Sequence, residues 1–282
     1  EHVLKYPDTR FPFMATRGCP MQCSFCNTDQ QWGKRVRTRT VQHVVDELKQ
    51  AYDQFHIKNF HCVDDNILVQ HKWALDLFRE ISNQLSKDIN ISFSNFDLRF
   101  LKDEILDALK DIGVKQITIA TETGTETNQR RISKYLKLDR VRDTVQRIRA
   151  KGFVIHNCFI LGFPGETLSE ILSTIDFARD LRTDSVQIHA LQPYRGTAAF
   201  NDAVALGVID EMYGEDPESL QWHTGQLSGE GWDAELIEQM AYDAGIELNF
   251  LATPLWDTLA GQNLLVEKMD RFIKVLPGHV IV

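Results

Sequence analysis

Apolar positions along this chain follow two alternating rhythms. Short runs rich in β-branched and aromatic residues at 11–16, 59–63, 89–93, 114–121, 153–161 and 185–191 predict strands. Between them, apolar residues spaced three and four apart at 41–55, 70–86, 102–112, 138–151 and 167–181 predict helices, with a shorter helical stretch at 125–134. Thr40 stands at an N-cap position ahead of Val44, Val45 and Leu48. Gly113 and Gly152 stand where helices close. Strands that alternate with helices call for a parallel sheet, because each crossover sets a helix between parallel neighbours. Chemistry in such sheets gathers at the C-terminal strand ends. Here the polar and glycine clusters follow strands: Asp64-Asp65-Asn66, Asn95 with Asp97 and Arg99, Glu122-Thr123-Gly124, and the segments 162–166 and 192–197.

Beyond residue 197 the rhythm changes. Trp222, His223, Trp232 and the glycines of 224–231 predict an irregular connection, followed by long helices over 233–252 and 255–274 and by Pro277-Gly278-His279. No repeat or low-complexity segment interrupts the chain.

Composition narrows the partners more than the fold. A chain of 282 residues with 43% hydrophobic and 25% charged residues is an ordinary globular protein able to bury a sizeable core. A net charge of −9 argues against nucleic acid as the main partner. The basic groups Lys34, Arg35, Arg37, Arg39 and Arg130, Arg131 read as solvated faces. No run is long enough to span a membrane and no signal peptide is evident, so a reducing, cytoplasmic setting is expected. The first residue is Glu1, and the chain reads as the covered part of a longer protein.

The candidate chemistry begins at Cys19-Pro20-Met21-Gln22-Cys23-Ser24-Phe25-Cys26, on a loop opened by Arg17-Gly18. Three thiolates are one short of a closed four-ligand site and leave a metal position open to a reactant. A zinc site would need a fourth ligand, for which His43 and His56 are the candidates. Five cysteines, an odd number in a chain this long, argue against a disulfide framework, and Cys62 and Cys158 are expected as core thiols.

With Thr16-Arg17-Gly18 ahead of it and Phe25 in the aromatic position, this segment resembles the cluster loop of the radical S-adenosylmethionine (SAM) superfamily, C-x-x-x-C-x-aromatic-C. The resemblance implies that Cys19, Cys23 and Cys26 hold three irons of a [4Fe–4S] cluster, that the fourth iron binds the amino and carboxylate groups of SAM, and that Phe25 packs on its adenine. Asp64, Asp65 and Asn66 stand where many members carry Gly-Gly-Glu, which meets the methionine amino group. Glu122 matches the Glu of a Glu-Ser-Gly segment beside SAM, and Lys134 falls where members often carry a lysine. Ile160, ahead of Gly162-Phe163-Pro164-Gly165-Glu166, and Gln192, ahead of Tyr194-Arg195-Gly196-Thr197, are implied adenine contacts. The implied fold class is α/β: a partial (β/α)6 barrel of parallel strands over 1–197, with a mainly helical C-terminal extension over 198–282. The implied activity is reductive cleavage of SAM to methionine and a 5′-deoxyadenosyl radical, with a small-molecule substrate and an electron donor such as flavodoxin or ferredoxin as partners.

Taken together over about 11–200, these motifs look like the catalytic half of cobalamin-associated members. That implies radical methylation of an unactivated centre, with cobalamin held by a domain outside this chain. The alternatives are a cobalamin-independent rearrangement or oxidative cyclisation, and a non-enzymatic zinc or iron–sulfur module. Substrate contacts are sought among polar residues on strands. His189 and Gln187 share one face of the sixth strand; His156 and Cys158 share one face of the fifth, with Asn157 on the other. Which face points inward is not decided by alternation alone.

Overall fold

The computed structural model describes residues 10–215, 224–257 and 259–275, so the expectations for Trp222, His223 and Pro277-Gly278-His279 lie outside the described residues. In chain order the elements are β1 (Phe11–Phe13), β2 (Thr16–Arg17), α1 (Thr28–Trp32), β3 (Arg37–Thr38), α2 (Val41–Phe55), β4 (Asn59–Cys62), α3 (His71–Gln84), β5 (Asn90–Phe93) and α4 (Asp103–Asp111). They continue with β6 (Gln116–Glu122), α5 (Glu126–Arg131), α6 (Leu138–Ala150), β7 (Val154–Leu161), α7 (Leu168–Leu181), β8 (Ser185–Ala190), α8 (Ala198–Ala205), α9 (Ala234–Ile246) and α10 (Leu259–Val275).

The helices form where the apolar stripe and caps dictate. The Thr40 side chain accepts from the His43 backbone at the start of α2, whose Val44, Val45, Leu48 and Ala51 are buried. α7 opens with a reciprocal capping box between Thr167 and Glu170. The strands β1, β4 and β5 form one parallel triplet and β6, β7 and β8 another. The triplets meet at a parallel bridge, Phe96 to Ile119, where Phe96 N donates to Thr118 O at 2.8 Å. The six long-range strands therefore follow one another in sequence order, with β1 and β8 at the outer edges, as the partial (β/α)6 barrel requires.

Register settles which face looks inward. Thr118, His156 and Ser185 lie side by side, as do Ala120, Cys158 and Gln187, and Ile160 sits beside His189. The intervening Ile117, Ile119, Ile155, Phe159, Leu161 and Ile188 are buried in the core, and α6 and α7 pack on β7. The lumen therefore takes the His156–Cys158–Ile160 face. Asn157, a candidate substrate contact by sequence, stands on the opposite, helix-covered face, fully buried, with its Oδ1 accepting from Thr121 N at 3.3 Å.

The C-terminal helices close the β8 edge. The single helix expected over 233–252 is α9 followed by a widened turn, Glu247–Leu251. That turn carries Asn249, whose side chain accepts from Val186 N at 3.0 Å and donates to Val186 O at 2.8 Å. An edge strand has unpaired backbone groups, and one amide side chain here satisfies both of them at Val186. Thr253 Oγ1 adds a bond to Asp184 O at 3.2 Å ahead of the short turn Pro254–Asp257. No helix among the described residues is long and apolar enough to cross a membrane.

Candidate functional site

The cysteine loop is built by a small hairpin that the hydrophobic pattern does not announce. β2 pairs antiparallel with β3, Thr16 opposite Thr38 and Arg17 opposite Arg37. Gly18 follows at φ 90°, and a Cβ there would sit 2.5 Å from Arg35 O and 2.9 Å from Gly33 O, so only glycine fits. Distant segments hold the loop in place. Ser24 N donates to Ile132 O at 3.0 Å, Ala199 N donates to Ser24 O at 2.8 Å, and Gln30 Nε2 donates to Arg195 O at 2.9 Å. Cys19, Cys23 and Cys26 all border one cavity of about 340 Å³, with Thr28, Gln30 and Lys34 on its wall. His43 and His56 are exposed on and beyond α2 and do not border it, so the zinc alternative lacks its proposed fourth ligand.

A buried charge network lies next to Cys23. Lys134 Nζ donates to Glu122 Oε1 at 2.9 Å, both side chains at most 10% exposed. It also bonds Ala120 O at 2.5 Å. Glu122 adopts φ 70°, a left-handed conformation that a non-glycine residue holds only when its surroundings enforce it. Asp97 accepts from Arg99 Nε at 2.9 Å and from Arg99 N at 3.0 Å, while Arg99 Nη1 reaches Lys134 O at 3.2 Å. Burial pulls the Lys134 ammonium down, but Glu122, Cys23 and Asp97 outweigh it and hold it above its usual range. Burial pushes Asp97 up, but Arg99 outweighs it and holds Asp97 below its usual range. Burial pushes the Cys23 thiol up to about 11, opposed by Lys134 and Arg99, and raises Cys19 as well. Asp97 and Arg99 were legible in sequence only as polar residues after the third strand.

The Asp64-Asp65-Asn66 cluster divides its roles. Asp64 spends both oxygens on the backbone, accepting from Ala15 N and Thr16 N at 2.7 Å each, and so ties the junction of β1 and β2 to the end of β4. Burial raises its carboxyl. Asp65 Oδ1 accepts from Thr28 Oγ1 at 3.1 Å, and the same hydroxyl oxygen accepts from Cys26 Sγ at 3.3 Å. Asp65 Oδ2 and Asn66 Oδ1 are buried with no hydrogen-bond partner among the described residues, whereas the Thr16 side chain lies against the Asp64 carboxylate. Buried polar atoms are normally paired, and unpaired ones on side chains that reach Thr28 and Cys19 are what a site built for a polar ligand leaves for that ligand. Sulfur donors for soft metal and oxygen acceptors for an ammonium group fit an iron–sulfur cluster carrying an amino-acid ligand.

The remaining predicted residues lie nearby or farther along the lumen. Phe25 packs on Phe163 with ring centroids 5.8 Å apart. Glu166 clamps the turn that carries Phe163, accepting from Gly162 N at 2.8 Å and Phe163 N at 2.9 Å, while Trp232 Nε1 donates to Glu166 O at 2.8 Å. Burial pushes the Glu166 carboxyl up to about 7 against those donors. Gln192 donates to the Tyr213 hydroxyl. Ile160 is half-buried on the inward face. Cys62 is a buried core thiol, whereas Cys158 is half-buried on the lumen side. Burial pushes Cys158 up to about 12, with Glu122 adding and Lys134 opposing. His156, Gln187 and His189 border a second cavity, of about 950 Å³, between β8 and the C-terminal helices.

The Radical SAM superfamily model matches residues 14–178, more than half of the chain. Cytidylyl-2-hydroxyethylphosphonate methyltransferase of Streptomyces wedmorensis is 30% identical over 80% of this chain and 43% of its own length. An uncharacterized methyltransferase of Pyrococcus horikoshii is 30% identical over 74% of this chain and 46% of its own. The chain spans less than half the length of these curated relatives. Among solved structures, the methyltransferase TsrM of Kitasatospora setae, with cobalamin and a [4Fe–4S] cluster bound, superposes with a TM-score of 0.66 at 18% identity, covering 73% of this chain and 39% of that one. At that identity the likeness speaks for the fold.

Proposed function

Because this chain belongs to the radical SAM superfamily, we propose that it is the radical-generating part of a methyltransferase acting on an unactivated centre, with cobalamin supplied by a segment outside residues 1–282. The observation that carries the reading is the convergence of Cys19, Cys23 and Cys26 on one cavity, with the unpaired Asp65 Oδ2 and Asn66 Oδ1 on side chains that reach Thr28 and Cys19. When bound there, the [4Fe–4S] cluster and SAM supply one-electron cleavage of a carbon–sulfur bond, chemistry that the protein's own groups do not have.

The chain's residues would bind, orient and exclude water. The three cysteines would hold the cluster, and Thr28 would brace Cys26 through its 3.3 Å contact. Asp65 and Asn66 offer acceptors to an ammonium group, whereas Asp64 acts through the backbone it pins. Glu122 commits one oxygen to Lys134 and keeps the other for a ligand. Phe25, braced by Phe163, and Ile160 supply apolar surface for adenine. His156, Gln187 and His189 would line the substrate side of the lumen. A single-electron donor of the flavodoxin or ferredoxin type would approach the exposed Cys26 side, where Lys34, Arg35 and Arg37 give a basic rim suited to an acidic partner. Five unpaired cysteines suit a reducing, cytoplasmic compartment.

The test is SAM turnover by the full-length protein, reconstituted anaerobically with cobalamin and followed by mass spectrometry. S-adenosylhomocysteine formed together with 5′-deoxyadenosine supports methyl transfer. 5′-Deoxyadenosine alone, unaffected by cobalamin, moves the protein to the rearrangement or cyclisation class, and neither product overturns the reading.

A further inference from the structure

The larger cavity, about 950 Å³, lies within the range of small-molecule sites and is not part of the cysteine loop. One wall is β8 with His156 of β7; the other is α9 with Phe250 and, from α10, Lys268. Its body is apolar, formed by Val186, Ile188, Ala241 and Phe250 among others. Its His156, Gln187 and His189 belong to the lumen face of β7 and β8. Gln187 receives a weak bond from Cys158 Sγ at 3.8 Å. Cys158 in turn lies in the field of Glu122 and Lys134, the pair that also acts on Cys23.

Lys268 is the unusual member of this wall. It is half-buried, and among the described residues it has no carboxylate at ion-pair distance. Asp184, the acid nearest it in effect, spends its Oδ2 on Ile155 N at 2.7 Å. Glu238, on the α9 side of the cavity, accepts from Gly225 N at 3.1 Å. His156 across the cavity is fixed through Nδ1 to Ser185 Oγ at 2.8 Å. A lysine half-sunk beside apolar side chains with no ion-pair partner among the described residues, and only the more distant Asp184 acting on it, is costly unless something else supplies the anion.

We propose that this cavity binds the substrate and that Lys268 holds an anionic oxygen group, carboxylate or phosphoryl, at one end of an otherwise apolar small molecule. The apolar body then packs on the α9 side of the cavity, against Ala241 and Phe250, with Gln187 and His189 of the lumen face beside it. The word substrate rests on the proposed radical chemistry; the anion site does not.

The probes are 3-phenylpropionate, 2-phenylethylphosphonate and the neutral 3-phenylpropionamide, titrated into the reconstituted full-length protein by ligand-observed nuclear magnetic resonance. At least one anion binds about tenfold more tightly than the amide, and whichever does so identifies the group. Lys268→Met reduces that anion to the level of the amide and leaves the amide unchanged, and Lys268→Arg restores the preference. If the Met variant does not fold, the wild type still decides: added salt weakens the anion and spares the amide. Equal binding of all three probes, no binding, or an anion preference indifferent to both Lys268 and salt overturns the site. SAM cleavage is measured on the same samples. Anion preference without cleavage leaves the site standing and removes the radical reading; cleavage without anion preference does the reverse.

Discussion

Replacing Lys134 by methionine isolates the buried pair beside Cys23. The lysine side chain is 6% exposed and Glu122 is 10% exposed, 2.9 Å apart. The substitution keeps the length and removes two contacts, the ion pair and the 2.5 Å bond to Ala120 O. A lost hydrogen bond from a charged donor costs about 1.5–3 kcal/mol. Leaving one member of a buried pair without its partner costs about 3–5 kcal/mol, which already includes the lost bond, so the second figure sets the expectation. Among the described residues no other basic side chain bonds Glu122 to absorb the change, since Arg99 is engaged with Asp97 and with Lys134 O. The double variant Lys134→Met/Glu122→Gln removes the stranded charge and recovers about 2 kcal/mol or more relative to the sum of the single changes. Urea unfolding of the anaerobic apoprotein, followed by tryptophan fluorescence, gives all four corners of the cycle. A Lys134→Met cost below about 1 kcal/mol, or strictly additive costs, would refute the claim that this pair is a coupled buried unit.

Other perturbations follow from single contacts. Gly18→Ala forces a Cβ to 2.5 Å from Arg35 O at φ 90°, so the loop is strained by about 1–3 kcal/mol and iron content after reconstitution falls, as read by metal analysis; full iron loading contradicts this. Asn249→Ala unpairs both backbone groups of Val186 at the β8 edge, costs about 2 kcal/mol, and speeds hydrogen exchange of the Val186 amide selectively. Glu166, with its carboxyl raised from 4.5 to about 7, binds its proton more tightly folded than unfolded; its contribution is present below pH 4.5 and is lost as pH rises through 7. Urea titrations at pH 5 and pH 8 therefore show a fall of roughly 2.5 kcal/mol from this group, absent in Glu166→Gln; an equal fall in both proteins rules Glu166 out as the source.

Much of the barrel was legible because its elements are long enough to show a period. α2, α7, β7 and β8 lie within one or two residues of their sequence expectations. The β2–β3 hairpin and the short helices α1 and α8 were not, since two to eight residues carry too little periodicity. The inward face of β7 was undecidable from alternation because His156, Asn157 and Cys158 place polar or thiol groups on both sides; register with Thr118 and Ser185 decides it. The Asp64-Asp65-Asn66 cluster was visible as a strand-end motif. That Asp64 serves the backbone of Ala15 and Thr16 depends on a contact across nearly fifty residues, which no local pattern encodes. The Asp97–Arg99–Lys134–Glu122 network is likewise assembled from three strand ends and loops.

On the proposed function, Cys19, Cys23 and Cys26 hold a cluster with one position open to SAM. Electron paramagnetic resonance of the reconstituted, reduced full-length protein, with and without SAM, tests it most directly. A reduced [4Fe–4S] signal that changes when SAM is added and is lost in Cys23→Ala is expected. A protein that shows no cluster signal, or a signal indifferent to SAM, would contradict it.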